Sequence, residues 1–216
     1  MVTKRSYDSP ARREAAEATR RRVVDAAREV MLERGYARAS VSAIAARAGV
    51  AVQTVYAAAP GGKAGLGRLV YDVTLAGDHE PVPQAERPAV LAIVDEPDPV
   101  RKLELFAAMA REVNVRIAPV HALLRAAAVS HDDAQELLDR AEQQRRTGSR
   151  GPAAHLAELG LLRPGLTVER AADGFYVLTS ATVFADLVER CGWSGDEYER
   201  WLADTLVATM LAPDVA

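Results

Sequence analysis

Between Thr19 and Leu66 three short amphipathic helical patterns follow one another with almost no connecting chain, and few folds accommodate that. The first puts Val23, Val24, Ala27, Val30 and Met31 on one face and stops at Gly35. The second starts behind Ser40, carries Val41, Ile44, Ala45 and Ala48, and ends at Gly49. The third, Ala51-Val52-Gln53-Thr54-Val55-Tyr56, is too short and too polar to be a core helix. Small polar residues facing outward, with Val50 and Val55 as pins, suit the reading helix of a helix-turn-helix, which must enter a major groove roughly 12 Å wide. A glycine at the corner supplies the φ > 0 geometry that a sharp helix-to-helix turn needs.

The order of residues here resembles the N-terminal domain of TetR-type transcriptional repressors. The resemblance is carried by Thr19-Arg20, Ala26-Ala27, Arg34-Gly35-Tyr36, Val41-Ser42-Ala43-Ile44-Ala45, Ala48-Gly49-Val50, Thr54-Val55-Tyr56, and Lys63 with Leu66 three residues on. It implies a DNA-binding head with Lys63, Tyr56 and Thr54 at the backbone-contacting positions. Val52 and Gln53 are the outward residues of the reading helix, and Ser40 and Ser42 are further candidates for DNA contact. Two departures stand out: Ala51 replaces the usual Ser cap, and Ala57-Ala58-Ala59 replaces an aromatic-rich segment. The Pro60-Gly61-Gly62 link is also one residue longer than the common form. These changes weaken the packing expected beneath the reading helix.

Charge points the same way. Residues 1–70 hold 13 Lys/Arg against 6 Asp/Glu, although the whole chain is acidic at −3. A basic first third on an acidic remainder fits a nucleic-acid-facing region on a solvated body. The run Arg20-Arg21-Arg22 is either an ordinary solvated helix face or a source of phosphate contacts, which supply most non-specific affinity for DNA.

The chain has 216 residues, room for one small and one larger domain. Helical periods dominate throughout, so the expected fold class is all-α. The expected division is an N-terminal arm at 1–18, a helix-turn-helix domain at 19–77, a linker at 78–98, and a ligand-binding and dimerisation domain at 99–216. A fourth helix, from about Lys63 to Ala76, is the element expected to join head and body. The prolines of Pro81-Val82-Pro83 break it. Behind Asp98-Pro99 a long helix carries Leu103, Phe106, Ala107, Ala110, Val113 and Ile117, and Pro119 is expected to end or kink it. Thr167 caps a later helix, and Ser194-Gly195-Asp196-Glu197 has the form of a capping box before the last one. A single cysteine, Cys191, allows no internal disulfide and suggests a reduced cytoplasm. Met1 to Arg13 lacks the apolar core of a signal peptide, and no apolar run approaches a span of ~20 residues. No membrane partner is expected.

For catalysis the sequence offers little. His79, His121, His131 and His155 are scattered without metal-ligand spacing, so neither a metal nor a cofactor is expected. Asp132-Asp133 is better explained as a helix start, because carboxylates favour that end of the helix dipole. Gly61-Gly62-Lys63 lacks the remaining residues of a phosphate loop. Polar groups on apolar helices mark candidate pocket walls instead: Arg111, Asn114, His121, Tyr176, Thr179 and Ser180, with Phe106 beside them. The same polar groups are also explained by neighbouring helices that satisfy them. The apolar face of the last helix, Tyr198, Trp201, Leu202 and Leu206, together with Phe175 and Leu187, is the expected homodimer interface.

The function expected is that of a ligand-responsive transcriptional regulator, a repressor that binds a palindromic double-stranded operator as a homodimer under an unknown small-molecule effector. The rival is an all-α binding protein or enzyme with a vestigial head.

Overall fold

A computed structural model describes residues 10–213 and 215. Among these residues the chain is 77% helical and has no strands. It divides into two compact units, 1–73 with 123–137 and 74–122 with 138–216.

The first unit is built on α1 (Pro10–Arg34), α2 (Val41–Ala48), α3 (Val52–Ala58) and most of α4 (Gly62–Ala76). Val23, Val24, Ala27, Val30 and Met31, the face expected for α1, are all at most 2% exposed. Burying each large apolar side chain of this kind stabilises by roughly 1.5–3 kcal/mol. The helix starts well before Thr19. Within the described residues it runs from Pro10. The segment expected as an arm is therefore helical from Pro10 onward, with Ala11 to Ala16 exposed; residues 1–9 lie outside the described residues.

The first unit also takes in 123–137. These residues are the end of α6 (Pro99–Ala128) and the start of α7 (Asp132–Gly148). The expectation that α4 alone joins head and body is thereby corrected, since α6 and α7 each also have one end within this unit. Gly67 of α4 lies so close to Leu137 of α7 that an added Cβ would stand 2.7 Å from its Cδ1.

The second unit holds α5 (Pro88–Asp95), the remainder of α6 and α7, α8 (Arg150–Glu158), α9 (Val168–Leu178), α10 (Ala181–Ala185) and α11 (Gly195–Met210). The segment expected as a plain linker contains α5, because Pro88 sits where a helix tolerates proline. Lys102, only 3% exposed, closes that helix by donating to the carbonyls of Ile93 (2.6 Å) and Val94 (2.8 Å). Pro119 does not end α6, which runs through it for 30 residues. The carbonyl that proline leaves unpaired belongs to Val115, a residue 53% exposed on the outer side of the helix.

Thr167 caps α9 by accepting from Arg170 N at 3.3 Å. Ser180 caps α10, and Ser194 with Glu197 forms the expected capping box at α11. Between α10 and Cys191 the chain makes a π-helical turn, Asp186–Arg190. Taken together, Val168–Arg190 is long and apolar enough to cross a membrane by length and composition, with 28% of its most apolar window buried inside the chain. That property was not anticipated from the sequence.

The apolar face of α11 is the core of this unit. Tyr198, Leu202 and Leu206 are wholly buried and Phe175 is 1% exposed. Phe184 meets Tyr198 edge to face at 4.9 Å. Tyr198, Leu202, Leu206 and Phe175 were expected at a dimer interface, and the structure corrects that: they are covered by their own chain. Trp201 and Leu187 remain partly exposed.

Candidate nucleic-acid interface and effector site

The corner between α2 and α3 is set by local chemistry. Ser40 Oγ accepts from Ala43 N at 3.1 Å, starting α2. Gly49 ends it at φ 66°, ψ 39°, and Val50 N then donates to Ala45 O at 3.0 Å, the arrangement by which a left-handed cap satisfies the last carbonyls. The two helices cross a bend of 97°, within the helix-turn-helix range. Arg47 braces α2 against α1 through a two-toothed bond to Glu33 (2.9 and 2.7 Å) and a third to Glu29 (2.8 Å). Glu33 is held below the usual carboxylate range, first by the Arg47 hydrogen bond.

In α3, Val55 points inward and is fully buried, while Val52 (41%) and Tyr56 (47%) are exposed, as is Gln53. Thr54 is half-buried. The three outward residues occupy one face at i, i+1 and i+4, which is the geometry of side chains offered to a groove. Ala51 stands in the N-cap position with no side-chain bond to the helix. On α2, Ser42 is exposed, and Ser40 is exposed while already serving as a cap. Lys63, near the start of α4, lies with its ammonium 4.2 Å from the Tyr36 ring centroid and donates to Ala37 O at 3.4 Å. Gly65 makes the α3–α4 corner possible, because a Cβ there would stand 2.1 Å from Pro60 O.

The second unit brings the candidate pocket residues into two clusters. In one, Asn114, 3% exposed, donates to Tyr198 Oη (3.1 Å) and to Thr179 O (3.2 Å); about two turns earlier on α6, Phe106 meets Phe175 of α9 edge to face at 5.0 Å. Burial pushes the Tyr198 phenol up to about 12. In the other, Glu142 is the hub. His121 Nε2 lies 3.0 Å from its Oε1, and Tyr176 Oη and Arg145 reach its Oε2 at 2.7 Å each. Hydrogen bonding from His121 foremost, then from Tyr176 with the Arg145 charge, lowers the Glu142 carboxyl to about 2 against the opposing effect of burial.

Three of the expected pocket residues are engaged otherwise. Arg111 is turned to α11, with Nε 2.7 Å from Glu199 and a guanidinium nitrogen 3.7 Å from Asp196. Ser180 is a helix cap, accepting from Val183 N, and Thr179 Oγ1 returns its proton to Phe175 O. Glu142 and Arg145 escaped the sequence reading. Their i, i+3 spacing on α7 was visible, but a polar helix gives no sign that one such pair is turned inward.

Residues 40–58 thus form a helix-turn-helix, and the other described elements are helical as well. Residues 23–66 match the family described as bacterial regulatory proteins, tetR family. Several solved structures share the fold over most of this chain. FadR from Bacillus subtilis, solved with stearoyl-CoA, superposes with a TM-score of 0.68 at 20% identity, over 87% of this chain and 97% of that one. NalD, the secondary repressor of the MexAB-OprM multidrug efflux pump in Pseudomonas aeruginosa, gives 0.63 at 22%, covering 92% and 98%. SmeT of Stenotrophomonas maltophilia, in its triclosan complex, gives 0.64 at 18%, covering 92% and 94%. No curated protein sequence matches the chain. The family match is thus confined to residues 23–66, and over most of its length the chain has the fold of these solved regulators.

Proposed function

We propose that this protein is a ligand-responsive repressor that binds a palindromic operator as a homodimer. The observation that carries the reading is the α2–α3 corner: a buried Val55 fixes a seven-residue helix whose Val52, Gln53 and Tyr56 all face outward. Such a helix has few uses besides entering a groove. Two heads related by a two-fold axis place their reading helices in successive major grooves about 34 Å apart.

The second copy docks on the groove between α9 and α11, of about 420 Å³ and bordered by Leu166, Val177, Leu178 and Thr205. Val177 is 55% exposed there, and the low burial of Val168–Arg190 within one chain supports a covering partner. The effector is a small molecule with an apolar body, entering beside Phe106 and displacing the bonds of Asn114. Relatives solved with triclosan and with stearoyl-CoA support such a class. Effector binding lowers operator affinity through a coupling of about 1–3 kcal/mol.

Selection of duplexes from a random pool by the full-length protein, followed by footprinting, tests the reading. A two-fold symmetric protected site is expected. Binding that shows no sequence preference at about 150 mM salt sinks it.

A further inference from the structure

We infer that Asp133, acting through Tyr36, is a positioning residue for Lys63 at the DNA backbone; this rests on the DNA-binding reading above. All three residues lie within the first compact unit. Tyr36, which follows α1, is 1% exposed, and its hydroxyl donates to Asp133 Oδ2 of α7 at 2.6 Å, across 97 residues of sequence. His131 meets the same ring edge-on, with centroids 6.2 Å apart. Lys63 Nζ sits over the ring at 4.2 Å.

Each contact constrains the next. A phenol bonded to a carboxylate makes a short, charge-assisted bond, which fixes the ring's rotation as well as its place. The donated hydrogen bond also pushes electron density onto the ring, which strengthens its hold on a cation above its face. Burial and the Asp133 bond both raise the Tyr36 pKa, so the hydroxyl keeps its proton and stays a donor. The Lys63 ammonium is thereby held near the start of α4, where its long flexible stem would otherwise sample many rotamers. A pre-placed cation loses less conformational entropy on meeting a phosphate. Close packing of Gly67 against Leu137 keeps α7 seated behind α4. Asp133 touches no DNA in this scheme.

A tie that merely stabilised the head would cost folding free energy and nothing specific to Lys63. A double-mutant cycle separates the two. The probe is a duplex selected by the wild-type chain from a random pool, titrated at two salt concentrations. Lys63→Ala should weaken binding about fivefold and lower the slope of log K against log salt by ~1 per head. Asp133→Ala should reproduce most of both effects, and the double variant should bind no worse than Lys63→Ala alone. Tyr36→Phe keeps the ring but drops the hydroxyl, and should follow Asp133→Ala. Asp133→Asn keeps an acceptor and should lie between it and the wild type. These two near-isosteric variants carry the test if melting shows Asp133→Ala to be unfolded.

Additive losses in the double variant, an unchanged salt slope in folded Asp133 variants, or tighter DNA binding would each overturn the inference. Failure of the wild type to bind any duplex would instead overturn the DNA-binding reading, and this one with it.

Discussion

His121 Nε2 of α6 stands 3.0 Å from Glu142 Oε1 of α7, inside the body, with the histidine 5% exposed. The bond fixes the tautomer, since only a protonated Nε2 can donate to the carboxylate. It also leaves Glu142 Oε2 free to accept from Tyr176 and Arg145. One carboxylate thus joins α6, α7 and α9, and every partner adds to the stability of its charged form.

The pH dependence of folding follows. The folded pKa of Glu142, about 2, lies below its ordinary value of 4.5. A depressed carboxylate contributes stability that is present above the unfolded value and is lost as pH falls through the folded one. The window is therefore about pH 5 down to pH 2. Glu142→Gln should destabilise the chain by ~2 kcal/mol at pH 7, a figure reduced for partial solvent exposure. The gap between wild type and variant should shrink when urea titrations are repeated at pH 3. A gap that stays constant would mean the network is not held by the carboxylate charge.

Base and phosphate contacts should separate in the head. Gln53 is exposed on α3, and a Gln amide pairs bidentately with adenine for about 1–3 kcal/mol of discrimination. Gln53→Ala should relax preference at one or two base pairs and leave the salt slope alone. Titration against selected and scrambled duplexes measures it. An equal loss on both would show that Gln53 reads no base.

The missing cap at α3 offers a gain-of-stability test. Ala51 already has the extended backbone of an N-cap, φ −70° and ψ 150°, but nothing bonds to the helix from its side chain. Ala51→Ser should stabilise the head by ~1 kcal/mol without a change of backbone. Hydrogen exchange of the α3 amides should slow accordingly. Unaltered exchange would mean that the amides at the start of α3 are already satisfied by another group.

How much of this was legible depends on the range of the interaction. The α2–α3 corner was readable because Ser40, Gly49 and Val55 act within a few residues of themselves. Asp132-Asp133 was readable as a helix start, and Asp133 does bond Ala134 N at 3.0 Å. Its second bond, to Tyr36, joins residues 97 apart and leaves no periodic trace. The last helix shows the same limit. Periodicity put Tyr198, Leu202 and Leu206 on one apolar face, but a period cannot say whether a second copy or the same chain covers it. Their own chain covers them.

That distinction changes what a dimer test should mutate. Leu206→Asp would place a charge in the core of the single chain, where leaving it uncompensated is strongly destabilising, so the outcome would be unfolding. Val177 is different: it is 55% exposed at the edge of the α9–α11 groove and fills no interior space. Val177→Asp should leave far-UV circular dichroism and melting close to wild type, within about 0.5 kcal/mol, as surface changes usually do. Under a second copy, however, the same carboxylate would be stripped of water without a partner, and association should fail. Sedimentation at low micromolar concentration should show a folded monomer in place of a dimer. A Val177→Asp protein that sediments as wild-type dimer would move the interface off this groove.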